Sequence, residues 1–398
     1  MVHPFSIVLT CSLALAAPGA LGAFDFRHHF GDREIGGDAM GQTALADLDG
    51  DGDLDFITGQ RGGKVWWYEH RSAAEWKRHV LGERSPSDVG GAALDVDRDG
   101  RVDFVAGGAW YRNPGEPREK PFTRHVFDPD LAAVHDIVTG DIDGDGRDDV
   151  VTMSDRNDLR WYRIAERPED RWTATRIGDP VHSGISLGDL DRDGDLDVVR
   201  SNVWLENREK GRRWVEHRMT GPWGSDAVSW QRNATQTRTA DIDGDGRLDV
   251  VISDGECRDA RIGWVKAPED PKMGEWELRY LPKGDDAARG AYHSLQVGDF
   301  DLDGDLDIFT CEMEHVGGER PPRWFIWENS DGKGAAFIER VVLDRDLGGH
   351  VAVAGDVDGD GDLDICSKLW RPARRNGNDG RNHFDYLENL AAPQEKHR

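Results

Sequence analysis

Positive charge is outnumbered in this chain. Its 50 Lys and Arg stand against 77 Asp and Glu, a formal net charge of −27, which argues against nucleic acid or an anionic membrane as the main partner. Cysteine is nearly absent. Apart from Cys11 in the N-terminal stretch, only Cys257, Cys311 and Cys366 occur, an odd set without disulfide-framework or zinc-ligand spacing. Beyond the N-terminus no apolar run is long enough to span a membrane, and no segment carries amphipathic helical periodicity. Hydrophobic content is nevertheless 37%, with 15 Trp, which excludes an acidic disordered chain. The opening "MVHPFSIVLTCSLALAAPGALGAFDF" is apolar and ends in small residues. It reads as a signal peptide over 1–23, cleaved after Gly22 or Ala23, although it lacks the usual basic start. The mature protein is then expected to be secreted, periplasmic or on the cell surface.

What the chain has in excess is aspartate, and it is periodic. "DLDGDGDLD" at 47–55 recurs as "DVDRDGRVD" (95–103), "DIDGDGRDD" (141–149), "DLDRDGDLD" (189–197), "DIDGDGRLD" (241–249), "DFDLDGDLD" (299–307) and "DVDGDGDLD" (356–364). All seven have Asp at positions one, three, five and nine and Gly at six, at intervals of 46 to 58 residues. A β-branched or aromatic run follows each loop, such as Val150-Val151 or Ile308-Phe309. An aromatic-centred segment comes next ("VWWYEH", "AWYRN", "LRWYRI", "VWLENR", "IGWVK", "WFIWENS", "FDYLEN"), then an alternating one such as "WKRHVL" or "FTRHVF". Four short β segments in each of seven units predict an all-β chain, a seven-bladed β-propeller with four-stranded blades over residues 24–390 and a polar tail over 391–398. The seventh unit lacks its fourth segment, and "FDFRHHF" at 24–30 has the matching pattern. This N-terminal strand is expected to close the last blade, which leaves no open seam.

The loop chemistry is that of a hard cation. Carboxylates at positions one, three, five and nine of a tight turn, bent at the Gly, give the oxygen cage that suits Ca²⁺, and no His or Cys stands in any loop. The expected ligands are Asp47, Asp49, Asp51 and Asp55; Asp95, Asp97, Asp99 and Asp103; Asp141, Asp143, Asp145 and Asp149; Asp189, Asp191, Asp193 and Asp197; Asp241, Asp243, Asp245 and Asp249; Asp299, Asp301, Asp303 and Asp307; and Asp356, Asp358, Asp360 and Asp364. These 28 carboxylates, four from each of seven loops, match almost the whole acidic excess of −27. An EF-hand is excluded. Position twelve is Thr58, Ala106, Thr152, Arg200, Ile252, Thr310 or Ser367 instead of Glu, and the flanks are β-branched. Up to seven structural calcium ions are expected, because a catalytic metal needs an open position that seven like cages do not offer.

With these loops the sequence resembles the integrin-α-type FG-GAP/VCBS repeat family across residues 24–390. That resemblance implies a secreted calcium-loop β-propeller. After the loop, "VTMS", "VISD" or "FTCE" replaces the family's Gly-Ala-Pro signature, so no integrin-like ligand binding follows from it. Some propellers of this type are lectins, which makes a glycan or an extracellular protein the expected partner of a monomer.

Function is expected on the face opposite the calcium loops, where the connections are unequal and lengthen in the last three units. His293 and His350 each stand six residues before a loop's first Asp, as does His135. Glu312, Glu314 and His315 follow the second strand of the sixth unit. Lys368, Trp370, Arg374, Arg375, Asn378 and His383 lie in the long connection of the seventh, and Trp223 and Trp230 precede the fifth. Trp beside Arg, Asn and His suits a sugar ring stacked on an aromatic face. The alternative is an extracellular carbohydrate-active enzyme. A polysaccharide lyase would use His293, His350 or Tyr292 as base, and a glycoside hydrolase would use Glu312 or Glu314. His293, His315 and His350 could also serve as zinc ligands.

Overall fold

The computed structural model describes residues 24–87, 89–219, 235–314, 316–372 and 375–391. The expected leader at 1–23, together with Trp223, Trp230, His315 and Arg374, lies outside the described residues. Twenty-eight strands form seven antiparallel four-stranded sheets, and no helix occurs among the described residues. The first blade is β2 (Met40–Ala46), β3 (Asp55–Gln60), β4 (Val65–Ser72) and β5 (Glu75–Gly82), paired in that order from the axis outward. The same meander repeats as β6–β9 over 92–126, β10–β13 over 134–178, β14–β17 over 185–218, β18–β21 over 235–280 and β22–β25 over 294–343.

The seventh blade is β26 (Val351–Gly355), β27 (Asp364–Lys368) and β28 (Phe384–Asn389), completed by β1 (Phe26–Asp32). Phe26 pairs with Asn389 and Tyr386 with His29, antiparallel. The N-terminal strand therefore closes the last blade, as the repeat phase requires. Side-chain hydrogen bonds hold the seam: His28 Nε2 lies 2.8 Å from Asp385, and His29 Nε2 lies 2.8 Å from Glu388.

Burial explains the segment types. Second strands such as β3 are buried almost throughout, because each lies between neighbours in its own sheet and against the adjacent blade. Outer strands such as β5 alternate between wet and dry positions and carry Lys77 and Arg78, charges that blunt a free edge. The apolar core is seven clusters, one at each blade interface. Phe127 stacks on Trp172 at 3.8 Å between the second and third blades, and Phe56 on Phe384 at 4.2 Å between the first and seventh. That last interface closes the ring.

Each aspartate loop joins the first and second strands of its blade. The Gly at position six has a positive φ in every copy, from +83° to +102°, a conformation costly for any residue with a Cβ. Position four is left-handed as well, yet it is Arg98, Arg192 and Leu302 in three of the loops.

Candidate functional site

Two faces of the disc offer chemistry. On the first, each loop folds around its own backbone: the Asp141 carboxylate accepts from the Asp145 and Gly146 amides at 3.0 and 2.8 Å. The position-nine Asp begins the second strand and ties two further elements together. Asp249 accepts from the Ile242 amide in its loop at 3.1 Å and from the Ala267 amide beyond the third strand at 2.8 Å. Burial pushes the position-nine carboxyls upward, Asp55 to about 8 and Asp249 to about 7.

Most of the ligand-position carboxylates that keep a buried oxygen without a hydrogen bond stand at position three. Asp49, Asp97, Asp143, Asp191 and Asp243 are nearly buried, yet each keeps at least one oxygen without a hydrogen bond. Basic side chains lean toward them instead, Arg118 on Asp49 and Arg163 on Asp143 among them. Burial, then the charge of Asp51, pushes Asp49 up to about 6. Carboxylate oxygens of positions one, three and nine converge in the loops of the first, third and fourth blades, and those of positions one, three and five in the second. These groups can hold a metal ion, and buried carboxylate oxygens left without donors fit a cation among them. Glu69 joins Asp49 and Asp51 in a further such group. The sequence reading missed it, although a Glu recurs at this place in "WYEH", "VWLENR", "WFIWENS" and "FDYLEN".

A second recurring feature was also missed. The residue after the third strand's core is Asn113, Asn207, Asn329 or Asn389 in the second, fourth, sixth and seventh blades. Each Asn amide donates to a backbone carbonyl in the preceding blade's aspartate loop. Asn207 reaches Ile142 at 2.8 Å, and Asn389 reaches Phe300 at 2.8 Å. The equivalent positions in the other blades are His70, Ile164 and Ala267.

The opposite face breaks the repeat. The innermost strands surround a central cavity of about 500 Å³, whose lining includes Asp136, Gln236, Arg238, His135 and His293. At its end away from the aspartate loops, aromatic rings from four blades form a continuous line. His182 lies 4.1 Å from His135, His135 5.5 Å from His293, His293 4.1 Å from His350, and His350 5.3 Å from Trp370, all centre to centre. His135 opens β10 (Val134–Gly140), and His182, His293 and His350 occupy the connections running into the next blade's innermost strand. Asp155, Glu256 and Glu314 come from the connections that leave second strands.

Their electrostatics differ by depth. His135 and His293 are buried, and desolvation lowers them to about 3 and about 4, so both imidazoles are neutral at pH 7. His182 is partly exposed. Burial opposes its charge, but Asp155 at 2.8 Å and Glu256 at 3.6 Å outweigh that and hold its pKa near 10. His182 in turn holds the Glu256 carboxyl down at about 2.

The other sequence candidates have structural surroundings. Tyr292 packs in the core against Phe325 and Trp327. The Glu312 carboxylate accepts from the Gly290 and Arg323 amides, at 2.6 and 2.9 Å. Glu314 accepts from the Trp370 amide at 2.8 Å and so places that ring. Lys368 is buried with its ammonium on the Met40 carbonyl, and burial lowers it to about 7. Asn378 is buried against the Arg33 carbonyl, His383 is buried on Asp385, and Arg375 is exposed. The structure thus brings together His135, His293, His350 and Trp370. The sequence reading did not single out His182, Asp155 or Glu256. A faint signal existed for His182: "VHS" at 181–183 echoes "YHS" at 292–294, displaced by one residue relative to the next loop.

Blades, closure and aspartate-caged turns define a seven-bladed β-propeller of the repeat-loop class. The chain belongs to the FG-GAP-like repeat family, whose model matches residues 47–106, 95–152, 141–200 and 299–367, more than half of its length. No curated protein sequence matches it. Among solved structures, BBS1N, crystallised in complex with ARL6DN, is similar at 11% identity with a TM-score of 0.53, covering 90% of this chain and 95% of that one. The V. cholerae biofilm matrix protein Bap1 is similar at 10% identity and TM-score 0.51, covering 93% of this chain and 92% of its own. At such identities these likenesses concern the fold alone.

Proposed function

We propose that this is a secreted propeller, stabilised by one Ca²⁺ in each aspartate loop, that acts as a monomer and binds a glycan or an extracellular protein at the mouth opposite those loops. The observation that carries the reading is the asymmetry of the two faces. Seven similar cages line one face. The other gathers unlike rings and carboxylates at one place, with His182, Asp155, Glu256 and Trp370 reachable from solvent. Trp370, tilted beside His350 and flanked by the Arg61 guanidinium at 5.6 Å, offers a platform for a sugar face with a cation for a carboxylate.

A second reading, a polysaccharide lyase or glycoside hydrolase, draws on one observation. His293 is a neutral imidazole whose Nε2 has no hydrogen bond, and it lines the cavity, as a general base would. A glycan array run beside an absorbance assay for unsaturated uronates on anionic polysaccharides separates the two. Binding without turnover, lost in Trp370→Ala, supports the binding protein. Turnover abolished by His350→Ala or His293→Ala supports the enzyme. No binding to any glycan or extracellular matrix protein, in calcium, refutes both.

A further inference from the structure

The histidine line divides into two parts with different partners. At the Trp370 end, His350 uses its backbone carbonyl to accept from His293 Nδ1 at 3.0 Å. At the other end His182 Nδ1 meets Asp155 Oδ2 at 2.8 Å. Both bonds have the same consequence. Each puts a proton on Nδ1 and turns Nε2 inward, where His182 Nε2 stands 3.6 Å from Glu256 and gives up its own proton when a metal binds, and His293 Nε2 is buried without a hydrogen bond. His135 lies between these two rings, 2% exposed, near the Ser183 backbone but with no well-formed hydrogen bond at either ring nitrogen among the described residues.

An imidazole locked through Nδ1 by a carboxylate or a backbone carbonyl, with Nε2 directed into a shared space, is how proteins present histidine to a metal. Buried nitrogens without partners are costly, and coordination to a metal removes that cost. Three imidazoles and a carboxylate form a nitrogen-rich set of intermediate softness. It disfavours Ca²⁺, which takes oxygen, and favours zinc or a neighbouring first-row ion.

We infer that His135, His182 and His293, with Glu256, form a binding site for a divalent transition metal at the mouth of the central cavity, distinct from the seven aspartate loops. Asp155 and the His350 carbonyl orient two of the ligands without touching the ion. The set shares His293 with the zinc trio of His293, His315 and His350 raised from sequence; His315 lies outside the described residues, His350 serves through its backbone, and His182 joins from the fourth blade. Partial exposure of His182 and Glu256 leaves the site open to a further ligand from solvent. The inference stands apart from the proposed function, since the site exists whether or not a glycan binds nearby.

The test uses the whole secreted chain without an affinity tag, stripped of metal and then saturated with Ca²⁺ so that the aspartate loops are filled. Titration with Zn²⁺ should give one site per chain that excess Ca²⁺ does not displace. Co²⁺ in its place should show the intense visible bands of a low-symmetry, nitrogen-ligated ion. His182→Ala and Glu256→Gln change partly exposed side chains, so the fold should survive, with the melting temperature as the check. His182→Ala should weaken Zn²⁺ at least ~100-fold, and Asp155→Asn, which acts only through His182, about 10–100-fold. Absence of Zn²⁺ binding in the Ca²⁺-saturated protein overturns the inference. So does Zn²⁺ binding of equal strength in folded His182→Ala and His135→Gln proteins.

Discussion

Asn207 is the sharpest place to test how the blades are held to one another. Its amide donates to Ile142 O at 2.8 Å in the preceding blade and to Leu196 O at 3.1 Å, and its Oδ1 accepts from the Gly211 amide at 2.6 Å. The side chain is fully buried. Asn207→Leu keeps the branched shape in a larger side chain and removes all three bonds. It strands the Gly211 N–H and the Ile142 carbonyl, each a loss of about 1–3 kcal/mol, while the new apolar surface returns about 1 kcal/mol. The net destabilisation is about 3 kcal/mol. With an unfolding entropy of about 2.1 cal/mol/K per residue over roughly 370 folded residues, that lowers the melting temperature by about 4 °C. The measurement is thermal denaturation followed by circular dichroism in saturating Ca²⁺. The control is Ala267→Ser, at the equivalent place in a blade that makes no cross-blade bond there. A shift below 1 °C for Asn207→Leu, or an equal shift in the control, refutes the assignment.

Four further outcomes follow from the same structure. Chelation of calcium should lower the melting temperature markedly and reversibly, because it leaves four clustered carboxylates in each loop to repel one another with fewer basic side chains than carboxylates beside them; an unchanged melt in excess chelator counts against calcium in the loops. Leu302→Gly relieves a left-handed residue at φ +60° and should stabilise by about 0.5–1 kcal/mol, read as a higher midpoint in denaturant at unchanged slope; a lower midpoint contradicts it. A chain beginning at residue 33 lacks β1, so hydrogen exchange of amides in 384–389 should accelerate, and exchange as slow as in the full chain would show that the seam does not depend on this strand. His293 has its folded pKa lowered to about 4 from 6.5, so between these values the unfolded chain binds a proton that the native one does not. Its contribution to stability therefore falls as pH drops from 6.5 to 4, by up to about 1.4 kcal/mol per unit. With transition metals removed, His293→Phe should flatten that part of the melting-temperature profile, and an identical acid loss in the variant rules the histidine out.

The fold was legible because its signals are local and repeated. An Asp-x-Asp-x-Asp-Gly turn fixes a bend within nine residues, the β-branched run after it fixes a strand, and seven copies state the blade number. Even the closing strand could be read, since the phase of the repeat leaves one segment over at each end of the chain. Two loop companions, Glu69 and the cross-blade Asn residues, were visible as letters but not as contacts, because their partners lie in other strands or other blades.

The sequence by itself determined the propeller, its seams and the cages on one face, since each follows from the chemistry of a short stretch. Only tertiary structure decided the mouth. His135, Asp155, His182, Glu256 and His293 are spread over more than 150 residues of chain and carry no common motif or spacing. They meet because ring closure turns the same end of four successive blades toward one axis. The deeper rings lose their water there, and the carboxylates at the rim supply the charge that such burial demands.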